Sequence, residues 1–271
     1  MVHLFSVWHE IEKHLKAAGR VLLLCDYDGT LTPIVESHDS AYLPQGTKQV
    51  LQELANQGRF TVGVISGRAL DDLKNRVKIV NIIYAGNHGL EIEGPDIVFV
   101  NPIAEEMRPV FHLIQQVLMK ALTPVKGVLV EDKGLTLSVH YRLVEDEKSQ
   151  EVKNIFERVI ATARSLGKVV VTSGKKVYEV RPAVEWDKGK AIALLIDKYG
   201  KPKTKRGLLT LFLGDDTTDE DGFKVVRKQG GIAILVGEET RDSAADYYLK
   251  SPVEVEQFLR MILEIDSRSS L

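Results

Sequence analysis

The sequence predicts an α/β protein with a parallel sheet, interrupted by an inserted α+β lid. Three observations carry that expectation. Short continuous apolar runs at residues 21–25, 60–65, 208–213 and 231–236 have the length and composition of strands buried on both faces. They alternate with stretches whose apolar residues recur at helical spacing, the pattern of crossover units. The alternation then fails for about a hundred residues after position 84 and resumes at Lys188. A crossover unit needs only ~30 residues, so the excess reads as a second domain.

Taken in order, Leu4, Trp8, Ile11 and Leu15 recur at helical spacing and Gly19 supplies an end, predicting an amphipathic helix that lies against the sheet. The strand at 21–25 runs into Asp26. A helix with Val50, Leu51, Leu54 and Ala55 on one face stops at Gly58, and strand, helix, strand repeats through 60–65, 69–76 and 79–84. Within the insertion the pattern predicts a hairpin at 90–100, a helix at 104–122, a hairpin at 128–142, a helix at 151–166 and strands at 169–171 and 177–180. The lid is expected at 101–182, leaving 1–100 and 183–271 as a discontinuous core, with the first hairpin assignable to either part. The core resumes with a helix over 191–199 opened by Lys188, then a strand at 208–213, a helix at 219–229 and a strand at 231–236. A short edge strand at 247–249 precedes a closing helix over 253–265, with Val255, Phe258, Leu259 and Ile262 on one face. The basic run from Lys201 to Arg206 reads as a solvated loop.

At 271 residues the chain is long enough for two compact domains. A net charge of −2 gives no reason to expect nucleic acid or an acidic membrane surface. No run approaches the ~20 apolar residues of a membrane span. Cys25 is the one cysteine, which rules out an internal disulfide; it ends an apolar strand, reads as core packing and suits a reducing compartment. The first twenty residues hold His3, Glu10, Glu12 and Lys13 among their apolar positions and lack the core of a signal peptide, so a cytoplasmic protein is expected.

The chemistry is concentrated at strand ends, where open α/β sheets place their reacting groups. Asp26-Tyr27-Asp28-Gly29-Thr30 follows the first buried strand. Two carboxylates two positions apart repel unless a cation or proton is shared, and Gly29 lets backbone amides turn toward an anion. The pattern points to a magnesium-dependent phosphate site with a carboxylate nucleophile. A bare Asp-x-Asp is common on surfaces; the apolar run before this one and Gly-Thr-Leu behind it set it apart. Ser66-Gly67-Arg68 follows the second strand, Ser66 offering a hydroxyl, although an ordinary helix cap would look the same. Lys188 falls in the first turn of a helix, where a cation opposes the helix dipole and is poorly placed for stability. Finally, Gly214 opens a segment to Asp221 with five carboxylates in seven residues, hard to tolerate at a strand end without a cation.

These four segments, in this order, resemble the motifs of the haloacid dehalogenase-like (HAD) phosphatases over most of the chain. The run from Asp26 to Pro33, Gly86-Asn87-His88-Gly89, Glu179-Val180-Arg181-Pro182, and Gly214 to Asp221 with Gly222-Phe223 are together similar to the trehalose-6-phosphate phosphatases. The resemblance implies a Rossmann-like core with a cap and hydrolysis of trehalose 6-phosphate. Asp26 would attack phosphorus to form an aspartyl phosphate, and Asp28 would protonate the leaving oxygen and then activate water. It implies Mg2+ held by Asp26, the backbone carbonyl of Asp28, and Asp215, with Asp216 or Asp219 holding metal-bound water at one remove. Ser66 and Lys188 become phosphate grips. Thr30 either orders the loop by hydrogen bonding or is merely structural, and Arg68 either reaches the substrate or is a surface residue at a helix start.

The lid is expected to choose the substrate. Alternation in Val177-Tyr178-Glu179-Val180-Arg181 places Glu179 and Arg181 on one face, opposite Tyr178 and Val180. A carboxylate there suits paired sugar hydroxyls, with a cross-strand ion pair as the alternative. Glu131-Asp132-Lys133-Gly134 has the composition of a turn, and the family resemblance makes Glu131 and Lys133 hydroxyl contacts. His140 and Arg142 share the polar face of the next strand, and Asn87 and His88 are explained equally by sugar contact and by loop ordering. A sucrose-phosphate or mannosyl-phosphoglycerate phosphatase would use the same core with another lid, and a mutase would return isomeric phosphate. A catalytically silent sugar-phosphate-binding domain would be free to lose Asp26 or Asp28, and both are present. The expected partners are a small-molecule sugar phosphate and, from the resemblance, a functional link to a trehalose-6-phosphate synthase; neither nucleic acid nor a membrane is expected.

Overall fold

The computed structural model describes residues 1–35, 41–174, 176–200, 207–238 and 242–269, so the basic run from Lys201 to Arg206 lies outside the described residues. The chain opens with β1 (Val2–His3), α1 (Trp8–Ala17), β2 (Arg20–Asp26), α2 (Gln45–Asn56), β3 (Phe60–Ile65), α3 (Leu70–Val77), β4 (Ile83–Gly86), β5 (Glu91–Gly94) and β6 (Ile97–Val100). It continues with α4 (Pro102–Glu106), α5 (Arg108–Leu122), β7 (Leu129–Asp132), β8 (Leu137–His140), α6 (Asp146–Ser165), β9 (Val169–Gly174) and β10 (Val177–Pro182). It closes with α7 (Lys188–Gly200), β11 (Leu208–Gly214), α8 (Glu220–Lys228), β12 (Ile232–Val236), β13 (Tyr247–Leu249) and α9 (Pro252–Ser269). Two compact units result, one made of Met1–Phe99 with Trp186–Leu271 and the other of Val100–Glu185.

The first unit is built on a nine-stranded sheet in the order β1-β13-β12-β11-β2-β3-β4-β5-β6. β2 is central and pairs in parallel with β11 on one side and β3 on the other. Its side chains alternate between two apolar layers. Val21, Leu23 and Cys25 pack with Ile11, Leu15, Leu51, Phe258 and Leu259, whereas Leu22 and Leu24 pack with Ile192, Leu195, Phe223 and Val226. Both faces are covered, which is why β2 reads as an unbroken apolar run rather than an alternating one. Cys25 is fully buried and free, and burial, followed by the neighbouring Asp26 carboxylate, pushes its thiol well above the ordinary range. Phe99 stacks on Trp186 with ring centroids 5.1 Å apart, bringing together the two ends of this unit's chain.

Several boundaries differ from those the sequence pattern predicts. The helix expected at 104–122 is two, α4 and α5, because Pro109 near the start of α5 has no amide to donate and its ring would collide with the carbonyl one turn back. The strand expected at 79–84 begins only at Ile83. Lys78 and Asn81 take positive φ of 51° and 61°, and the Tyr84 hydroxyl both accepts from the Ile79 amide and donates to its carbonyl, replacing a strand partner. The hairpin at 90–100 extends the large sheet, β5 pairing antiparallel to β4, so the sheet is mixed at this edge. β1 carries no readable signal in two residues and adds a parallel edge beside β13.

The second unit is an antiparallel sheet in the order β7-β8-β10-β9. Leu137, Val139, Tyr178 and Val180 share a core with Phe111, Ile114 and Leu118 of α5 and Val152, Phe156 and Ile160 of α6. Tyr178 lies flat on Phe156 at 4.5 Å between ring centroids. The opposite sheet face aligns Glu131, Ser138 and Glu179 across three strands. Among the described residues no helix is long and apolar enough to cross a membrane.

Candidate active site

Three adjacent strands deliver the motif residues. The register sets Cys25 opposite Leu213 and Asp26 opposite Ile65, so Asp26, Asp215 and Ser66 leave the sheet at the ends of β2, β11 and β3. This is the place where strand order reverses direction about β2, so side chains leaving the neighbouring strand ends converge there. The turn after β2 is tight. The Tyr27 carbonyl accepts the amides of Leu31 and Thr32 and the Thr32 hydroxyl, and the Gly29 amide donates to the Thr32 carbonyl. Gly29 sits at φ +88°, and a β-carbon there would overlap the Asp215 carboxylate, so glycine is required both for the backbone and for the close approach of Asp215. Thr30 is buried, its hydroxyl a weak 3.5 Å from Asp215 Oδ1.

Lys188, the first residue of α7, places its ammonium 2.6 Å from Asp26 Oδ1 and 2.7 Å from Asp219 Oδ1. Its side chain is 2% exposed and that of Asp219 0%. Burial alone would lower the lysine pKa, but the Asp26 and Asp219 carboxylates hold it above its ordinary value, so it is charged. The Asp26 carboxyl is raised well above the usual range. Burial is the main cause; Lys188 opposes it, while Asp219 and Asp215 add repulsion. Asp219 is raised likewise by burial, against the pull of Lys188. One ammonium is thus shared by a crowd of carboxylates, and the cluster would accept more positive charge.

The carboxylates of the fourth segment divide their work. Asp216 is bonded locally, its Oδ1 accepting from the Thr218 amide at 2.8 Å, the Thr218 hydroxyl at 2.7 Å and the Asp219 amide at 3.2 Å. Asp219 uses Oδ1 on Lys188 and Oδ2 on the amides of Asp215 and Asp216, at 3.0 and 3.1 Å. Asp26, Asp215 and Asp219 each offer an oxygen, all within 4.8 Å of one another. An all-oxygen anionic donor set of this kind, with Asp215 drawn onto the Gly29 cradle and surplus negative charge, fits a hard divalent cation.

Asp28 points to a different partner. Arg68 Nε is 2.7 Å from its Oδ2 and Nη2 is 2.6 Å from its Oδ1. Arg68 is 1% exposed, which removes the reading of a surface arginine. Its amide donates to Ser66 Oγ at 3.2 Å, leaving the buried Ser66 hydroxyl its own proton to donate. Asn87 and His88 wrap this loop. The Asn87 amide donates to the Arg68 carbonyl and the His88 amide to the Ser66 carbonyl, with both residues at positive φ. Asn87 Nδ2 donates to Glu91 Oε1 at 2.7 Å, and a β-carbon at Gly67 would come within 2.6 Å of His88 Nε2. These contacts order the loop. Missed from the sequence were Asp72 and Arg76, which extend the Asp28–Arg68 pair: Arg68, Asp72 and Arg76 lie four apart, the spacing of a helical charge stripe.

On the polar face of the second unit's sheet, Glu131 Oε2 lies 2.9 Å from His140 Nε2. Glu179 accepts from Arg181 Nε at 2.8 Å and Nη2 at 2.5 Å, and Lys133 Nζ is 3.6 Å from its other oxygen. Lys133 is buried and Arg142 is exposed in the turn after β8. The predicted alternation holds, with Tyr178 and Val180 in the core behind Glu179 and Arg181.

A parallel sheet with its acidic centre at the strand ends, its chain interrupted by a separate α+β unit, is the architecture of the haloacid dehalogenase-like hydrolases. A solved structure from C. albicans, the C-terminal domain of a trehalose-6-phosphate phosphatase, shares the fold at a TM-score of 0.77, with 24% identity over 94% of this chain and 96% of that one. A family model described as trehalose-phosphatase matches residues 24–253. Curated relatives include Probable trehalose-phosphate phosphatase 4 of Oryza sativa subsp. japonica, 36% identical over 94% of this chain and 69% of its own. Trehalose 6-phosphate phosphatase RA3 of Zea mays is 35% identical over 95% of this chain and 74% of its own. The chain belongs to the trehalose-phosphatase family.

Proposed function

We propose that this chain hydrolyses trehalose 6-phosphate to trehalose and phosphate through an aspartyl phosphate on Asp26. The observation that carries the chemistry is Asp26 itself, buried at the end of the central strand with the Lys188 ammonium 2.6 Å away; the substrate follows from family membership. Asp26 Oδ attacks phosphorus as the bond from phosphorus to the sugar oxygen breaks, and that oxygen takes the departing electron pair and a proton from Asp28. Water then attacks the phosphoryl group, Asp28 as carboxylate takes its proton, and the bond to Asp26 breaks to regenerate the enzyme. Lys188 neutralises the phosphoryl group and Ser66 donates its hydroxyl to it. Asp26, the Asp28 carbonyl and Asp215 would hold Mg2+. Asp219 and Asp216 are read as acting at one remove, since Asp219 spends both oxygens on Lys188 and two amides and Asp216 spends Oδ1 on its own turn. When bound, the ion supplies Lewis-acid neutralisation of phosphoryl charge. Residues 101–182 are taken as the lid. The reading also puts the protein in the cytoplasm, in functional company with a trehalose-6-phosphate synthase, in keeping with its lone buried thiol.

Phosphate release against trehalose 6-phosphate, sucrose 6-phosphate, mannosyl-phosphoglycerate and glucose 6-phosphate tests this directly. Trehalose 6-phosphate is expected to give the highest kcat/KM, in magnesium and not in excess chelator. Full turnover in chelator would remove the metal assignment, preference for another sugar would reassign the substrate, and isomeric sugar phosphate in place of free phosphate would mark a mutase.

Glu131, Lys133 and Glu179 are read as contacts to the disaccharide hydroxyls, supported by the alignment of Glu131 and Glu179 on one polar sheet face and by Lys133 Nζ lying 3.6 Å from Glu179. A hydrogen bond to a charged group is worth ~1.5–3 kcal/mol, so each alanine substitution should lower kcat/KM for trehalose 6-phosphate on the order of ten- to a hundredfold. Turnover of a small aryl phosphate, with no second sugar to hold, should change far less. Equal losses on both substrates would assign the three residues to lid stability.

A further inference from the structure

We propose that Asp72 and Arg76 are positioning residues for Asp28, acting through Arg68. The inference rests on the acid–base role read for Asp28 above. Its geometry is a chain of alternating charges. Arg68 grips both Asp28 oxygens edge-on, at 2.7 and 2.6 Å, a fork that admits one orientation of the carboxylate plane. The guanidinium is itself fixed from two further sides: Nη1 donates to Asp72 Oδ2 at 3.0 Å, and the Tyr27 ring lies 5.4 Å from its central carbon. Asp72 takes Arg76 Nε on both oxygens at 2.8 Å. Arg76 Nη1 then donates to the Ala41 carbonyl at 3.2 Å, an oxygen that also accepts the Tyr27 hydroxyl at 3.0 Å.

The ends of this chain differ in a telling way. Arg68 is buried, whereas the Asp28 side chain is 40% exposed, so the carboxylate is clasped from behind and open in front. Burial alone would raise the Asp72 carboxyl, but hydrogen bonds from Arg76 and Arg68 hold it below the ordinary range, keeping it an anion between two cations. The Tyr27 hydroxyl, buried beneath the guanidinium, donates to the Ala41 carbonyl.

The chemistry makes use of such fixity. In the first step a proton leaves Asp28 for the sugar oxygen while the bond from that oxygen to phosphorus breaks and the bond from Asp26 forms. A sugar alkoxide is a poor leaving group and needs the proton delivered; a nitrophenolate leaves without it. Misplacement of the acid is consequently felt by one leaving group and not by the other.

Single-turnover release of the alcohol, trehalose from trehalose 6-phosphate and nitrophenol from 4-nitrophenyl phosphate, isolates this step. For Asp72→Asn and for Arg76→Gln, trehalose release is expected to slow on the order of tenfold with KM unchanged. Nitrophenol release should keep its wild-type rate, and Asp72→Glu should recover part of the loss. A thermal melt of each variant separates reduced folding from reduced rate. Equal slowing with both substrates would reduce the chain of charges to fold support, and unchanged trehalose release would show that Arg68 holds Asp28 unaided; either result overturns the proposal. If the wild-type protein leaves trehalose 6-phosphate intact, the same comparison with whichever alkyl phosphate it turns over tests the relay apart from the substrate.

Discussion

Asp26→Asn is expected to abolish phosphate release, by a factor on the order of 10⁴–10⁶, while the protein stays folded. The amide is nearly isosteric with the carboxylate and can still accept from Lys188, which retains Asp219 as its charged partner. It cannot attack phosphorus. Stability should be unchanged or slightly raised, because burial and the repulsion of Asp219 and Asp215 work against the Asp26 charge in the folded protein. Acid-quenched wild-type protein incubated with labelled substrate should carry phosphate on Asp26, and the variant should carry none. Covalent phosphate on any other residue would refute the nucleophile assignment.

Lys188→Met should damage both activity and stability. The methionine fills much of the lysine stem but removes the one ammonium between Asp26 and Asp219, leaving two buried carboxylates without a counter-charge. Breaking a buried pair by deleting one partner typically costs about 3–5 kcal/mol. In a protein of this size each kcal/mol lowers Tm by roughly 2–4 °C, so the melt should fall by a readily measured margin. Loss of the phosphate-facing cation should lower kcat on the order of 10²–10³-fold. Adding Asp219→Asn to the lysine variant removes one stranded charge and should restore part of the Tm without restoring turnover. A single variant with wild-type melting and kinetics would mean that the ammonium is dispensable to both.

The motifs were legible because each is local: an apolar run and the residues that follow it determine where a strand ends and what projects from it. Asp26, Ser66 and Asp215 could be placed together from three such runs, since parallel strands in one sheet point their carboxyl ends the same way. What escaped was the choice of partner, which depends on contacts between distant segments. Asp216 and Asp219 look alike in sequence, yet one is spent on its own turn and the other reaches a lysine 31 positions away. Arg68 could not be told from a surface residue without Asp28, 40 positions off, to draw its guanidinium inward. The Arg68, Asp72, Arg76 stripe and the break at Pro109 went unread although each left a local signal, the four-residue spacing of the charges and a proline inside the helix expected at 104–122. The lid face was readable for the same reason as the core motifs, with period-two alternation in β10, whereas the pairing of Glu131 with His140 needed the hairpin to form.

The position of Cys25 bears on how the central strand opens. Its thiol is sealed in the apolar layer with Ile11, Leu15, Leu51, Phe258 and Leu259, and both burial and the adjacent carboxylate disfavour the thiolate that a reagent attacks. Labelling by a thiol-directed probe must therefore wait for that covering layer to part from β2, so the modification rate counts openings over the sheet's middle rather than fraying at its margins. With one sulfhydryl in the chain, that count is unambiguous, and a phosphate-bound protein should be labelled more slowly in proportion to how firmly the ligand ties the strand ends together.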